Sequence, residues 1–150
     1  MYINAGDLDT HIYPEIRDII TREDAELVQL AIGVGIDEAK SYLMRYDLVA
    51  LFGTYDVQGQ DDVAPTVDDK NLNSKVKDLI CWQLIKLSNP NIDIALFQAN
   101  YEYACKWFES VKKSQLAPAG WVYKTDDEAT PFPEGNIINQ VSNTPRNNHW

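Results

Sequence analysis

The chain has 150 residues, 45% of them hydrophobic and 24% charged, with a formal net charge of -10. That composition gives room for one domain with a real core and argues against disorder along the whole length. No run approaches the ~20 apolar residues that span a bilayer, and no basic patch of the kind that grips a phosphate backbone is visible. The start, Met1-Tyr2-Ile3-Asn4, lacks a basic region followed by an apolar run, so no secretory signal is expected and a cytosolic setting is.

Residues 2–20 read as one or two short helical turns. Asn4 can cap a turn through Leu8 and His11, and Pro14 suits a first helical position, where its missing N–H costs nothing. Ile16, Ile19 and Ile20 are expected on one face. Thr21-Arg22-Glu23-Asp24 resembles a capping box with Thr21 as N-cap and acids against the helix dipole. In the helix that follows, Leu27, Leu30, Ala31, Val34, Ala39, Tyr42 and Leu43 recur at helical spacing. Gly33 and Gly35 either permit close packing or mark a break near Ile36, and the sequence leaves both open.

A short apolar piece, residues 47–52, stops at Gly53. Residues 53–69, with two glycines, one proline and five aspartates, are expected to form an exposed, mobile loop. A third long helix is expected over residues 73–88, with Val76, Leu79, Ile80, Gln83, Leu84 and Leu87 as its stripe. Asn89-Pro90-Asn91 is a break. The fourth helix, residues 92–115, is the most regular. Ile94, Phe97, Tyr101, Ala104, Phe108 and Val111 alternate in steps of three and four, the pattern of a helix packed along a partner. Tyr103 and Trp107 fall beside that stripe and are expected at a semi-exposed interface edge.

Composition changes at residue 117. Residues 117–150 hold four of the seven prolines, five asparagines and two of the four tryptophans. Such a segment builds no core of its own. Trp121-Val122-Tyr123, and Ile137-Ile138 with Val141, can form short strands. Large apolar residues spaced along a polar arm look like anchors. Trp121, Tyr123, Phe132, Ile137, Ile138 and Trp150, with Tyr103 and Trp107, are the expected partner-binding residues. The alternative is an arm folded back over its own helices.

Little points to catalysis. His11 with Asp7 four residues earlier can tune a base, but no serine or cysteine is tied to it by sequence. No phosphate-cradling glycine motif and no H-E-x-x-H occurs. The aspartates of residues 53–69 can collect hard cations but do not match a calcium-loop spacing. Cys81 and Cys105 sit in helical segments without ligand-spaced partners and read as reduced, buried apolar residues. No cofactor, metal or catalytic residue is assigned, and a non-enzymatic structural subunit is expected.

Three local patterns occur in one order: Met1-Tyr2 with Ala5-Gly6-Asp7-Leu8; Ile36-Asp37-Glu38-Ala39-Lys40-Ser41-Tyr42-Leu43-Met44-Arg45-Tyr46; and Tyr101-Glu102-Tyr103-Ala104-Cys105-Lys106-Trp107-Phe108. In order and spacing the chain resembles the small tailed-phage proteins of the Mu-like head–tail connector, or adaptor, family, over residues 1–116. The loop over residues 53–69 is longer and more acidic than that family's short link, and the arm after residue 116 is an addition. The resemblance implies an all-α adaptor domain of about four helices (residues 1–116), followed here by the extended C-terminal arm (residues 117–150). It also implies a virion protein at the head–tail junction, assembled in the host cytoplasm. The implied partners are copies of the chain in a ring, often twelve-fold, then the portal protein and a tail or next connector protein. DNA is non-specific cargo in the channel, and no membrane is involved. The alternative is a monomeric helical protein-binding module.

Overall fold

The structure, a computed structural model, describes residues 3–22, 24–55, 61–86 and 94–125. The described residues are mostly helical, as the all-α expectation required. A 3-10 turn Ala5–Thr10 is followed by helices α1 (Pro14–Thr21), α2 (Ala25–Tyr42) and α3 (Leu48–Phe52). Strands β1 (Thr54–Tyr55) and β2 (Asp61–Val63) then precede helices α4 (Lys70–Lys86) and α5 (Ile94–Lys112).

The helix starts follow from their capping chemistry. Asn4 accepts from the Asp7 amide, and the Asp7 carboxylate accepts from the Asn4 amide, closing a reciprocal box around the first turn. Pro14 opens α1, where its lack of an N–H is harmless. The capping box expected at Thr21 does not form. Thr21 is the last residue of α1, buried, and donates its hydroxyl to the Arg17 carbonyl at 3.0 Å. Arg22 turns the chain in the left-handed region at φ 55°, and Asp24 caps α2 through the Glu26 amide. Asp47 caps α3 through the amides of Val49 and Ala50.

Helix α4 lies at the centre and packs along both α2 and α5. Its buried apolar positions are Leu72, Val76, Leu79, Ile80, Cys81, Leu84 and Ile85, so it meets neighbours on more than one side. It begins at Lys70 rather than residue 73, because Asp69 accepts from the amides of Asn71 and Leu72 through Oδ1. Leu87 of the expected stripe and the break at Asn89-Pro90-Asn91 lie outside the described residues.

Helix α2 runs unbroken through both glycines, and its buried face keeps Ala31 and Ala39 of the expected stripe but is rotated away from Leu30 and Val34. Val28, Ala31, Ile32, Gly35, Ile36 and Ala39 point inward, whereas Leu30 and Val34 are exposed. Gly35 sets this rotation. A Cβ there would lie 2.5 Å from Ile80 Cγ1 and 3.0 Å from the Ile80 backbone, so the α2–α4 approach depends on its absence. Ile19 of α1, expected on the inner face, is likewise exposed, while Ile20 is buried and Ile16 packs at the edge of the core.

Residues 53–69 are not wholly an open loop. Gly53, at φ 67°, turns the chain so closely under Val63 that a Cβ would lie 2.3 Å from its carbonyl oxygen. Strands β1 and β2 pair antiparallel, with Thr54 opposite Val63. The amides of Thr66 and Val67 then both donate to the Ala50 carbonyl, tying the segment to α3. No described helix is long and apolar enough to cross a membrane.

Candidate interaction surface

The end of α2, the end of α5 and residues 117–125 meet in a seam of aromatic rings. Tyr46, just past α2, is buried between two residues of the later segment. Trp121 meets its ring edge-on at 5.0 Å between centroids, and Tyr123 stacks on it at 4.8 Å. Trp121 continues to Trp107 at 6.1 Å, Trp107 to Phe108 at 5.1 Å, and Phe108 stacks on Tyr42 at 5.6 Å. Such edge-to-face and offset contacts add to the burial each ring contributes. Burial of the Tyr46 phenol, with its hydrogen bond to Tyr123 second, pushes its pKa up.

Backbone bonds fix the same segment. The Asp47 amide donates to the Val122 carbonyl at 2.9 Å and the Lys124 amide to the Arg45 carbonyl at 3.2 Å. They flank an antiparallel bridge between Tyr46 and Tyr123. The Trp121 indole N–H donates to Asp69 Oδ2 at 2.8 Å. Asp69 thus starts α4 with one oxygen and holds Trp121 with the other.

The expected anchors therefore separate. Trp121 is only 8% exposed and belongs to the core, so it is no free anchor, and residue 116 is not a packing boundary. Tyr123 rests on Tyr46 with about half its surface open, and Trp107 is partly buried in the seam. Tyr103 faces outward at 62% exposure, with the Lys75 ammonium 4.3 Å from its ring centroid. Phe132, Ile137, Ile138 and Trp150 lie outside the described residues. Tyr46 and Asp69, which organise the seam, carry no local signal of that role, since their partners are 50 or more residues away in sequence.

Beside the seam is a groove of about 480 Å³ lined by Ser41, Tyr42, Met44, Arg45 and Lys112. Arg45 Nη1 donates to Ser114 Oγ at 2.9 Å and to the Lys112 carbonyl at 3.3 Å, which closes the C-terminal end of α5. The groove has an aromatic and thioether floor with two cationic walls.

Two polar clusters tie the helices together elsewhere. Glu38 of α2 accepts from the Tyr101 hydroxyl at 2.7 Å and from Gln83 Nε2 at 2.9 Å, joining α2, α4 and α5. Burial, then the bond to Glu38, raises the Tyr101 pKa. Cys105 beside them is half-buried with its thiol pKa raised, first by burial, and Cys81 is buried in the core.

The second cluster surrounds His11. The Thr10 hydroxyl donates to the Asp7 carbonyl, so its oxygen is left to accept from His11 Nδ1–H at 2.8 Å. Nε2 then accepts from the Ser74 hydroxyl at 3.2 Å. Asp78 Oδ1 lies 3.9 Å from that same nitrogen, not on the far nitrogen, where a carboxylate would orient a catalytic imidazole. Burial lowers the His11 pKa despite Asp78, and the Asp78 pKa is raised by burial despite Lys75. Asp7 is engaged with the Asn4 amide rather than with His11. This arrangement joins the first turn to α4 with a neutral imidazole. Among the described residues no three His, Cys, Asp or Glu side chains gather where they could hold a metal ion.

The fold and seam define a small helical domain whose later segment is stitched to its own body. Comparison with protein-family models, curated proteins and solved structures returns no match.

Proposed function

We propose that the chain is a structural virion protein, a head–tail connector subunit that forms a ring between the portal and the tail of a tailed phage. The observation that carries this reading is a pair of exposed apolar strips on the two helices that flank α4. Leu30 and Val34 are one turn apart on α2, and Leu96 and Tyr103 are two turns apart on α5; all four are exposed. Two different strips on one subunit suit a head-to-tail contact, and such contacts make rings when the rotation closes. The family resemblance over residues 1–116 supports the same role, with an adaptor body of about four helices and an arm that reaches a neighbour.

The charge supports it as well. A subunit at -10 repels a phosphate backbone, which lets DNA pass as cargo without sticking. The ring contacts the portal on one side and a tail or next connector protein on the other. The arm makes its outer contacts through Ile137, Ile138 and Trp150, since Trp121 is occupied in the body.

Electron microscopy of the purified chain mixed with the portal protein of the same virus tests this. Closed rings seated on the portal are expected. Particles of a single subunit would instead favour the monomeric binding module.

A further inference from the structure

We propose that the groove between the ends of α2 and α5 is the docking site of the chain's own residues 126–133, whose acidic and aromatic side chains match its walls and floor. Chain direction is the first ground. Residues 121–124 run antiparallel to residues 45–47, and the last of these bonds joins the Lys124 amide to the Arg45 carbonyl. That direction leads from Lys124 toward Met44 and Ser41, and Ser41, Tyr42, Met44 and Arg45 line the groove.

Charge complementarity is the second ground. Arg45 and Lys112 form the walls, and the residues that arrive are Asp126, Asp127 and Glu128. Glu109, the nearby acid on α5, is already paired with Lys113 at 3.2 Å. The third ground is the floor. Tyr42 and the 54%-exposed Met44 offer apolar surface, and Phe132 follows the acids four to six residues on. Tethering at Lys124 makes this an intramolecular encounter, with the high effective concentration of a short linker. The proposal does not depend on the connector reading.

Thiol cross-linking in the full chain tests it. Cys105→Ala removes the half-buried thiol, and Phe132→Cys is combined with Met44→Cys in the groove or with Leu30→Cys, ~18 Å further along α2 by helix rise. At low protein concentration the Met44→Cys pair should close within one chain about tenfold faster than the Leu30→Cys pair. Arg45→Glu with Lys112→Glu should slow closure by about fivefold, the scale of two or three exposed ion pairs. Adding Asp126→Lys and Asp127→Lys should restore it. Equal rates at the two positions, indifference to charge reversal, or cross-links only between chains would each overturn the proposal.

Discussion

The Trp121 indole N–H bonds Asp69 Oδ2 at 2.8 Å across 52 residues of sequence, while Asp69 Oδ1 caps α4. Each oxygen of one carboxylate has its own task, so an amide cannot replace it: Asp69→Asn keeps one acceptor and turns an NH₂ toward the indole. Asp69→Asn and Trp121→Phe should each cost about 1–2 kcal/mol. In a double-mutant cycle they should couple, because both remove the same bond. Trp121→Ala, which also empties a core position, should cost about 3–5 kcal/mol. A chain ending at Leu116 should be destabilised by a similar amount relative to one ending at Thr125. Urea unfolding midpoints measure all of these, and additive single costs would show that the bond contributes nothing.

The two glycines of α2 should respond in opposite directions. A Cβ at Gly35 collides with Ile80 side chain and backbone, whereas one at Gly33 meets nothing within 4 Å. Gly35→Ala should destabilise by about 1–3 kcal/mol through overpacking. Gly33→Ala should stabilise by about 0.5–1 kcal/mol through helix propensity. Thermal melts of the two variants decide it, and equal shifts would contradict the α2–α4 packing.

These glycines also mark how far the sequence is legible. Asn4, Pro14 and the α5 stripe announce themselves, because capping and periodicity are local. Helix α2 offers two apolar faces, one through Leu30 and Val34 and another through Val28, Ile32 and Ile36. Packing on α4, closest where Gly35 meets Ile80, selects the second. Thr21 and Asp24 are both good caps, and the left-handed turn at Arg22 decides between them. Asp69 looked like one more loop acid because its partner Trp121 is distant, and His11 finds Ser74 across 63 residues. Of the expected contact residues, Tyr103 stands out on the surface, Trp107 and Tyr123 sit in the seam, and Trp121 is consumed by the core.

Stability should fall on the alkaline side. Burial pushes the Cys81 thiol up to about 12 from an ordinary 9. Between those values the unfolded chain loses a proton that the folded chain keeps, so stability drops as pH rises, by about 1.4 kcal/mol per pH unit. The raised phenols of Tyr42, Tyr46 and Tyr101 act in the same direction above pH 10. Unfolding at pH 8 and pH 10.5 should show a large loss in the native sequence and a smaller one in Cys81→Ala. Equal losses would place the thiol in a more polar setting.

His11 works on the acid side. Its folded pKa is depressed below 6.5, chiefly by burial, so its contribution is complete above pH 6.5 and is lost as pH falls through the folded value. Asp78, with a raised pKa, opposes this: its contribution is present below pH 3.8 and lost as pH rises. Because Asp78 favours the imidazolium, Asp78→Asn should lower the His11 midpoint further. A proton NMR titration of the imidazole measures this, and a higher midpoint in Asp78→Asn would contradict it.

The outward strips of α2 and α5 carry the functional proposal. Leu30→Asp and Leu96→Asp alter only exposed positions and should leave stability within about 0.5 kcal/mol. The most direct measurement is the mass of the full chain in solution, alone and with the portal protein, for the native sequence and the double variant. The native chain should form a closed multi-subunit species with the portal, and the variant should stay at single-subunit mass. A native chain that remains single beside the portal, or a variant that assembles equally well, would contradict the connector proposal.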